Sequence, residues 1–246
     1  MRNLKLTIQY DGTNFNGWQL QPKDRTVQGE IENALKTIFQ TTIRVHGSGR
    51  TDTGVHALGQ VANFIVDTPK SLDSIKKAIN ANTKKDVVTQ KVEDAPEDFH
   101  AQYSAKLKTY RYTIINNDTI NPLERYYSLH FPHKLNLSAM KRAAKHLVGK
   151  KDFKSFQGNN RVNKDQDTVR TIKAITLKKE GVKITIDITA TGFLYKMVRN
   201  IVGLLIAVGS GQIEDTKTKE ILKAKNRTKA PATALAHGLT LFNVKY

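Results

Sequence analysis

The sequence lacks cysteine, a long apolar run and an apolar leader. None of its 246 residues is cysteine, which excludes disulfides, thiolate catalysis and cysteine-ligated metals and is compatible with a reducing compartment. The longest apolar stretch, residues 201–208, is interrupted by Gly203 and is too short to span a bilayer. Residues 1–10 alternate charged and apolar side chains, unlike a signal peptide. These absences predict a cytoplasmic protein.

Motifs for metal ions and nucleotide cofactors are also missing from the sequence. The seven histidines are scattered, and His130 and His133 do not combine with the others into a metal-ligand spacing. No G-x-x-x-x-G-K-[ST] loop is present, and the glycines around position 50 miss the dinucleotide pattern because no helix is predicted after them. Ser48 lacks a nearby base at the spacing of a hydrolase motif. We therefore expect no metal and no nucleotide cofactor.

Acidic residues are scarce in the second half of the chain. The whole sequence has 40 Lys and Arg against 22 Asp and Glu, a formal net charge of +18. Residues 1–105 carry 13 basic and 12 acidic side chains, whereas residues 106–246 carry 27 basic and 10 acidic ones. The excess predicts a polyanionic partner whose phosphates contact mainly the second half. General basicity is the alternative, but it would not concentrate the excess in one half.

Periodicity predicts strands and helices in an order that repeats once along the chain. An acidic stretch at residues 93–102, which contains Pro96, marks the boundary between the two halves. The first helix has Thr26 as its N-cap, and one hairpin is expected to turn at Glu180 and Gly181. The predicted strands are 3–10, 41–45, 60–66, 87–92, 106–115, 168–178 and 183–189, and the predicted helices are 26–39, 72–82, 136–148 and 193–208.

This order of elements favours an α+β fold of two similar halves, with mainly antiparallel sheets that meet at a central catalytic cleft. We expect an N-terminal half of residues 1–105 and a basic C-terminal half of residues 106–246 that carries most of the nucleic-acid-binding surface. Residues 157–166 lack periodicity and are predicted to form a mobile basic loop.

Most of the candidate chemistry lies in the glycine-rich residues 46–64, between two predicted strands. The glycines permit positive φ and close approach of another molecule to the main chain. Asp52 has no other carboxylate nearer in sequence than Asp67, whereas Arg50 is close and would keep Asp52 ionised as a nucleophile or base. The alternative is a hairpin in which Asp52 caps a turn and Arg50 is solvated.

Three aromatic residues could stack on a nucleic-acid base. Trp18, the only tryptophan, lies near Phe15 in sequence, and we favour a core position for it. Tyr110 and Tyr112 are predicted on one face of a strand, with Arg111 on the other. From the pattern alone, tyrosines packed in the core are the favoured interpretation.

Arg199 lies in an apolar stretch of the last predicted helix, where Phe193, Met197 and Ile201 fall on one face. A buried guanidinium in such a place needs an anionic partner. An arginine at the helix surface is the ordinary alternative for a single charge.

The segment GRTDTGVHA, from Gly49, resembles the signature of the tRNA pseudouridine synthase A family. Similar blocks run along the whole chain, so the resemblance covers essentially all of it. They are YDGTNFNGWQ from Tyr10, DFHAQYSA from Asp98, KTYRY from Lys108, GFLYKMVRNIVG from Gly192 and HGLTLFNVKY at the end of the sequence.

The resemblance implies a role for each matching residue. Asp52 corresponds to the catalytic aspartate of that family, and Arg50 precedes it at the matching position. Tyr110 matches a tyrosine that lies against the target base, and Arg199 matches a cation paired with the catalytic aspartate across the cleft. His100 matches a block that lines the site, with a weaker individual role in binding RNA.

The resemblance also implies an activity: isomerisation of uridine to pseudouridine at positions 38 to 40 of the tRNA anticodon stem-loop, by a homodimer with the pseudouridine synthase fold and no cofactor. Asp52 would attack either the base or the sugar, and the residues leave that choice open. A base inside a stem must be flipped out, and Arg50 is placed to fill the gap or hold the neighbouring phosphates.

A non-catalytic RNA-binding protein is the competing class. A nucleoside glycosidase would normally need a second carboxylate near Asp52.

Overall fold

The computed structural model describes residues 1–158 and 167–246. They form two compact units, Met1–Lys106 with Thr240–Tyr246, and Leu107–Leu239. Helices occur in both units, and their strands pair mainly antiparallel, which confirms the predicted α+β class. The strands of the described residues are β1 (Arg2–Tyr10), β2 (His46–Gly47), β3 (His56–Val66), β4 (Val87–Ala95), β5 (Leu107–Ile115), β6 (Leu129–His130), β7 (Gly149–Asp152), β8 (Val169–Glu180), β9 (Lys183–Ala190) and β10 (Leu239–Lys245). The helices are α1 (Val27–Phe39), α2 (Leu72–Asn82), α3 (Leu137–Lys145), α4 (Met197–Gly209) and α5 (Lys217–Ala224).

The first unit is a sheet with two helices. Strand β1 pairs antiparallel with β3 on one side and β4 on the other, and β10 pairs in parallel with β3. Alternate side chains of β1, Leu4, Leu6 and Ile8, are fully buried, as expected of a strand with one face on a core. The unit's core therefore lies on one face of this sheet.

Each helix of the first unit begins directly after a residue that caps it. Thr26 accepts a hydrogen bond from the Gly29 amide at 3.2 Å, and α1 ends at Phe39, as predicted. Ser71 caps α2 by accepting from the Ser74 amide at 3.2 Å, and the predicted bounds of this helix are confirmed.

The predicted strand at residues 41–45 is wrong. Pairing with β3 begins only at His46, opposite Asn63. The Val45 amide instead donates to the carboxylate of Glu32 on α1, at 3.0 Å. A helix side chain thus satisfies a backbone group that a strand would have paired, and β-branched sequence alone could not reveal that partner.

The second unit contains the antiparallel series β5, β9, β8 and β7, with β6 parallel to β5. The predicted hairpin of β8 and β9 is present, but its turn is one residue later than predicted: Glu180 pairs with Lys183, and the turn consists of Gly181, whose φ is 58°, and Val182. Helix α3 is shorter than predicted, and Asn136 is its N-cap, accepting from the Ala139 amide at 3.1 Å.

The start of the last predicted long helix is wrong by four residues. Helix α4 begins at Met197 because Lys196 has a φ of 56°, in the left-handed region. The Met197 amide donates to Leu194 O at 3.1 Å, so the preceding residues form a turn. Phe193 therefore does not share a helical face with Met197.

Residues 159–166, on which most of the predicted mobile loop falls, lie outside the described residues. Elsewhere in the described chain, no helix is both long and apolar enough to cross a membrane.

Candidate active site

Asp52 lies in the loop that joins β2 to β3. The loop is fixed at its start, where the Ser48 amide donates to Val61 O at 2.7 Å. It closes in a tight turn, where the Val55 amide donates to Asp52 O at 3.1 Å and Gly54 has a φ of 76°. Glycine is needed at position 54 because other residues rarely adopt this φ.

Gln60 on β3 anchors the loop from inside the protein. Its side chain is fully buried and accepts a hydrogen bond from Ser48 Oγ at 2.8 Å. Its amide nitrogen donates to Gly49 O at 2.9 Å. One amide side chain thus satisfies both a side chain and a backbone group of the loop that carries Asp52.

Thr51, directly before Asp52, is fixed by two contacts. Its hydroxyl bonds the Tyr10 hydroxyl at 2.8 Å, and its carbonyl accepts from the Trp18 amide at 3.1 Å. Burial raises the pKa of Tyr10, so this bond joins two neutral hydroxyls. The backbone around Asp52 is therefore determined on both sides.

Trp18 lies in the core beneath this loop, with 2% of its surface exposed, which confirms the favoured interpretation. Gly47 packs directly on its indole ring, and a Cβ at that position would overlap the ring atoms. Gly47 is thus needed for close packing, a role that differs from the positive φ of Gly54.

The fixed backbone leaves the two charges of the motif accessible. Asp52 is partly exposed and Arg50 is exposed. A carboxylate on a rigid, accessible loop can act as a nucleophile or as a base toward a bound substrate.

His100 lies in the same unit, at a turn before β5. Its Nδ1 accepts from the Gln102 amide at 3.1 Å, and its ring lies 5.0 Å from that of His46. Burial, followed by the nearby His46, lowers the pKa of His100. His100 therefore presents mainly a neutral ring at pH 7.

Tyr110 lies in the second unit, on β5. As predicted, Tyr110 and Tyr112 are both on the buried side of the strand, and Arg111 on the other side binds Asp187 through two bonds of 2.7 Å. The Tyr110 ring meets that of Phe193 edge to face, with centroids 5.1 Å apart. The turn before α4 thus supports this tyrosine.

Arg199 lies in the first turn of α4 and is half-buried. Its Nε donates to Ala234 O at 2.8 Å, and the Ala234 amide donates back to Arg199 O at 3.1 Å. This reciprocal pair fixes the guanidinium relative to residues 230–235.

A buried polar network fixes that segment in turn. Asn200, fully buried, donates to Phe156 O at 2.7 Å and accepts from Thr233 Oγ1 at 2.6 Å. The Arg227 guanidinium also donates to Asn200 Oδ1, at 3.1 Å, and burial lowers the pKa of Arg227. Periodicity and motifs do not reveal this network, although Asn200 within an apolar helix is a signal that a buried polar partner exists.

The first unit therefore contains Arg50, Asp52 and His100, and the second contains Tyr110 and Arg199. Gln60 anchors the loop that carries Asp52, and Asn200 fixes the segment that bonds Arg199. Neither residue was predicted as part of the site. Among the described residues, no group of three or more His, Asp or Glu side chains could hold a metal ion.

Comparison with known proteins gives consistent matches over the whole chain. A family model described as tRNA pseudouridine synthase matches residues 6–104 and 143–246. A tRNA pseudouridine synthase A from Limosilactobacillus reuteri (strain DSM 20016) is 45% identical, over 100% of this chain and 97% of that protein. One from Thermoanaerobacter sp. (strain X514) is 42% identical over 100% of both chains, and a tRNA pseudouridine synthase A 2 from Bacillus anthracis is 43% identical over 100% of both.

Proposed function

The chain belongs to the tRNA pseudouridine synthase family, whose members isomerise uridine to pseudouridine in tRNA, and we propose that it acts at positions 38 to 40 of the anticodon stem-loop, with Asp52 as the nucleophile and no cofactor. The observation that carries this proposal is the Asp52 loop itself. Its backbone is fixed by Ser48, Thr51 and Gln60, while the carboxylate stays partly exposed. Such preorganisation is what a nucleophile needs.

The reaction balances without an added reagent. Asp52 attacks the base or the ribose, and the bond between the ribose and the base nitrogen breaks. The base rotates and re-attaches through carbon, the hydrogen on that carbon leaves as a proton, and the original nitrogen gains a proton. Asp52 is released unchanged. No electrons and no groups pass to another molecule, so the chain's own residues supply the required chemistry.

The other candidate residues bind and orient the RNA. A target base within a stem must leave the stack, and Arg50, exposed two residues before Asp52, fills the vacated space or holds the adjacent phosphates. Tyr110 supports the flipped base, because its ring is fixed edge to face by Phe193. His100 contributes a mainly neutral ring to RNA binding.

Arg199 provides a fixed cation for the Asp52 carboxylate. Its orientation is set by Ala234 and, through Thr233, by buried Asn200. A pocket that encloses a flipped base excludes water, which disfavours an isolated carboxylate, and an oriented guanidinium compensates for this. Arg199 therefore acts on the charge of the nucleophile.

Residues 106–246 supply most of the phosphate-binding surface, because they carry 27 of the 40 basic residues. Residues 1–105 supply the loop with Asp52.

The protein works on tRNA in the cytoplasm as a homodimer, as its resemblance to the family implies. Light scattering of the purified protein tests the dimer: a mass near 55 kDa, twice the 27.6 kDa of one chain, supports it, and 27.6 kDa contradicts it.

The position of the reaction is tested with anticodon stem-loop RNAs that contain uridine at only one of positions 38, 39 or 40. We expect pseudouridine at these positions and none in a matched RNA whose uridines lie only in the acceptor arm. The assay uses dialysed protein with a chelator present. Product in the acceptor-arm RNA contradicts the proposed position, and tight binding with no product in any RNA supports a non-catalytic RNA-binding protein.

A further inference from the structure

Three rings form a tilted stack at the surface of the first unit, outside the Asp52 loop. The rings of His46 and His100 are 5.0 Å apart, and those of His100 and Tyr103 are 4.4 Å apart. Tyr103 lies at the outer end of the ring stack with 79% of its surface exposed. Large aromatic side chains are usually much more buried, so this exposure points to a contact surface.

The turn that carries Tyr103 is rigid. The His100 amide donates to Ser104 Oγ at 3.1 Å, and the Ser104 amide donates to His100 O at 2.9 Å. His100 Nδ1 accepts from the amide of Gln102 at 3.1 Å, which requires that this nitrogen carry no proton. The tyrosine is therefore presented from a closed turn rather than from a flexible loop.

The turn is also fastened to the sheet beneath it. The Asn63 side chain on β3 accepts from the Ala101 amide at 2.9 Å and donates to Phe99 O at 3.2 Å. The Tyr246 hydroxyl donates to Ala101 O at 2.7 Å. Because the ring stack and its turn are ordered before any ligand binds, binding to them costs little additional conformational entropy.

We propose that an unpaired base of the substrate RNA stacks on Tyr103, which extends the ring stack by a fourth ring. The inference rests on the proposed function, since it takes RNA as the ligand. Every base has a flat π face, so an exposed neutral ring platform suits a nucleobase of any sequence. The net charge of +18 brings the RNA backbone to the protein, and the ring stack adds a contact that is independent of charge.

The ring stack is close in sequence to the proposed nucleophile, Asp52. His46 is only six residues before Asp52, so their Cα atoms lie at most about 21 Å apart. A base on the ring stack therefore belongs to the same region of RNA as the target uridine. The ring stack helps to hold that region while the target base is displaced.

The test measures tRNA affinity of the full-length protein over a range of salt concentrations. We expect Y103A to weaken binding by about 5- to 150-fold, the effect of removing one stacking ring, and Y103F and Y103W to bind like the parent. The plot of log affinity against log salt should keep its slope in Y103A, because stacking releases no counterions. L123A is the matched control, since Leu123 is equally exposed at 79% but has no ring, and it should bind normally.

Three results overturn the stacking inference. These are unchanged affinity in Y103A, a shallower salt slope in Y103A, which indicates a phosphate contact, and a lower oligomeric mass in Y103A, which indicates a protein interface. A parent protein that binds tRNA through Tyr103 but makes no pseudouridine contradicts the proposed function alone. A parent that makes pseudouridine while Y103A binds normally contradicts the inference alone.

Discussion

Arg199 is a charged residue in a mostly apolar helix, and both its backbone and its guanidinium bond Ala234. Such a fixed cation is suited to stabilise a carboxylate. We predict that R199A lowers kcat much more than it weakens tRNA affinity, because the Asp52 carboxylate loses a fixed opposite charge. R199K should recover only part of the activity, since an ammonium cannot make a bidentate contact. Near-normal turnover in R199A contradicts this role.

His100 gives a second prediction at the residue scale. Its pKa, measured by NMR titration, should lie below the ordinary value of about 6.5, because of burial and then the nearby His46. H46Q should raise that pKa, whereas H133Q, at an exposed histidine of the other unit, should leave it unchanged. Since the native state favours neutral His100, the unfolded state binds more protons near pH 6, and stability should fall as pH drops through 6.5. A pKa that H46Q does not change refutes the assignment.

Sequence alone identified Asp52 and Arg199 as candidates, but it could not identify the residues that position them. Gln60 donates to the hydroxyl of Tyr10, which is 50 residues earlier in the sequence. Asn200 donates to the carbonyl of Phe156, which is 44 residues earlier. A buried polar side chain in an apolar pattern indicates that a partner exists. Only the folded chain shows which partner it is.

At the scale of elements, the loop between β2 and β3 depends on Gln60. We predict that Q60M, which keeps the side-chain length, lowers kcat by about 10- to 100-fold while tRNA affinity changes little, because the loop loses its internal anchor and Asp52 loses its position. Gly49 O is also left without this partner, which costs about 1–3 kcal/mol of stability. Denaturant unfolding and single-turnover rates measure the two effects.

The control for this prediction is Q90M, because Gln90 lies on β4 and is exposed. That variant should match the parent in both measurements. If Q60M retains full kcat despite a loss of stability, Gln60 supports the fold but does not position Asp52.

Helices with strong caps were predictable, and irregular connections were not. Helix α1 begins after Thr26, the predicted N-cap, and α2 has the predicted bounds 72–82; in the structure both helices have a side-chain cap at the N-terminus. The error at residues 41–45 arose from a bond to Glu32, and the error at the start of α4 arose from the left-handed backbone of Lys196. Both depend on tertiary contacts or dihedral angles that periodicity does not report.

At the scale of the whole molecule, the uneven charge predicts uneven salt dependence. We predict that K223E with K229E flattens the dependence of tRNA affinity on salt, by about 0.7 to 0.9 in slope for each phosphate that is no longer neutralised. The matched variant K36E with K85E changes two exposed lysines of the first half and should leave the slope nearly unchanged. Equal flattening by both pairs refutes the asymmetry.

Catalysis by the Asp52 carboxylate is tested most directly with tRNA transcribed from uridine labelled with tritium at C5. Joining the ribose to C5 must expel that hydrogen into water, so tritium release counts isomerisation events. The parent protein, dialysed and without additives, should release tritium in step with pseudouridine formation. D52N should bind tRNA with nearly the same affinity and release none, because it keeps the shape of Asp52 and lacks its charge. Release by D52N within tenfold of the parent rate would show that Asp52 is not the nucleophile.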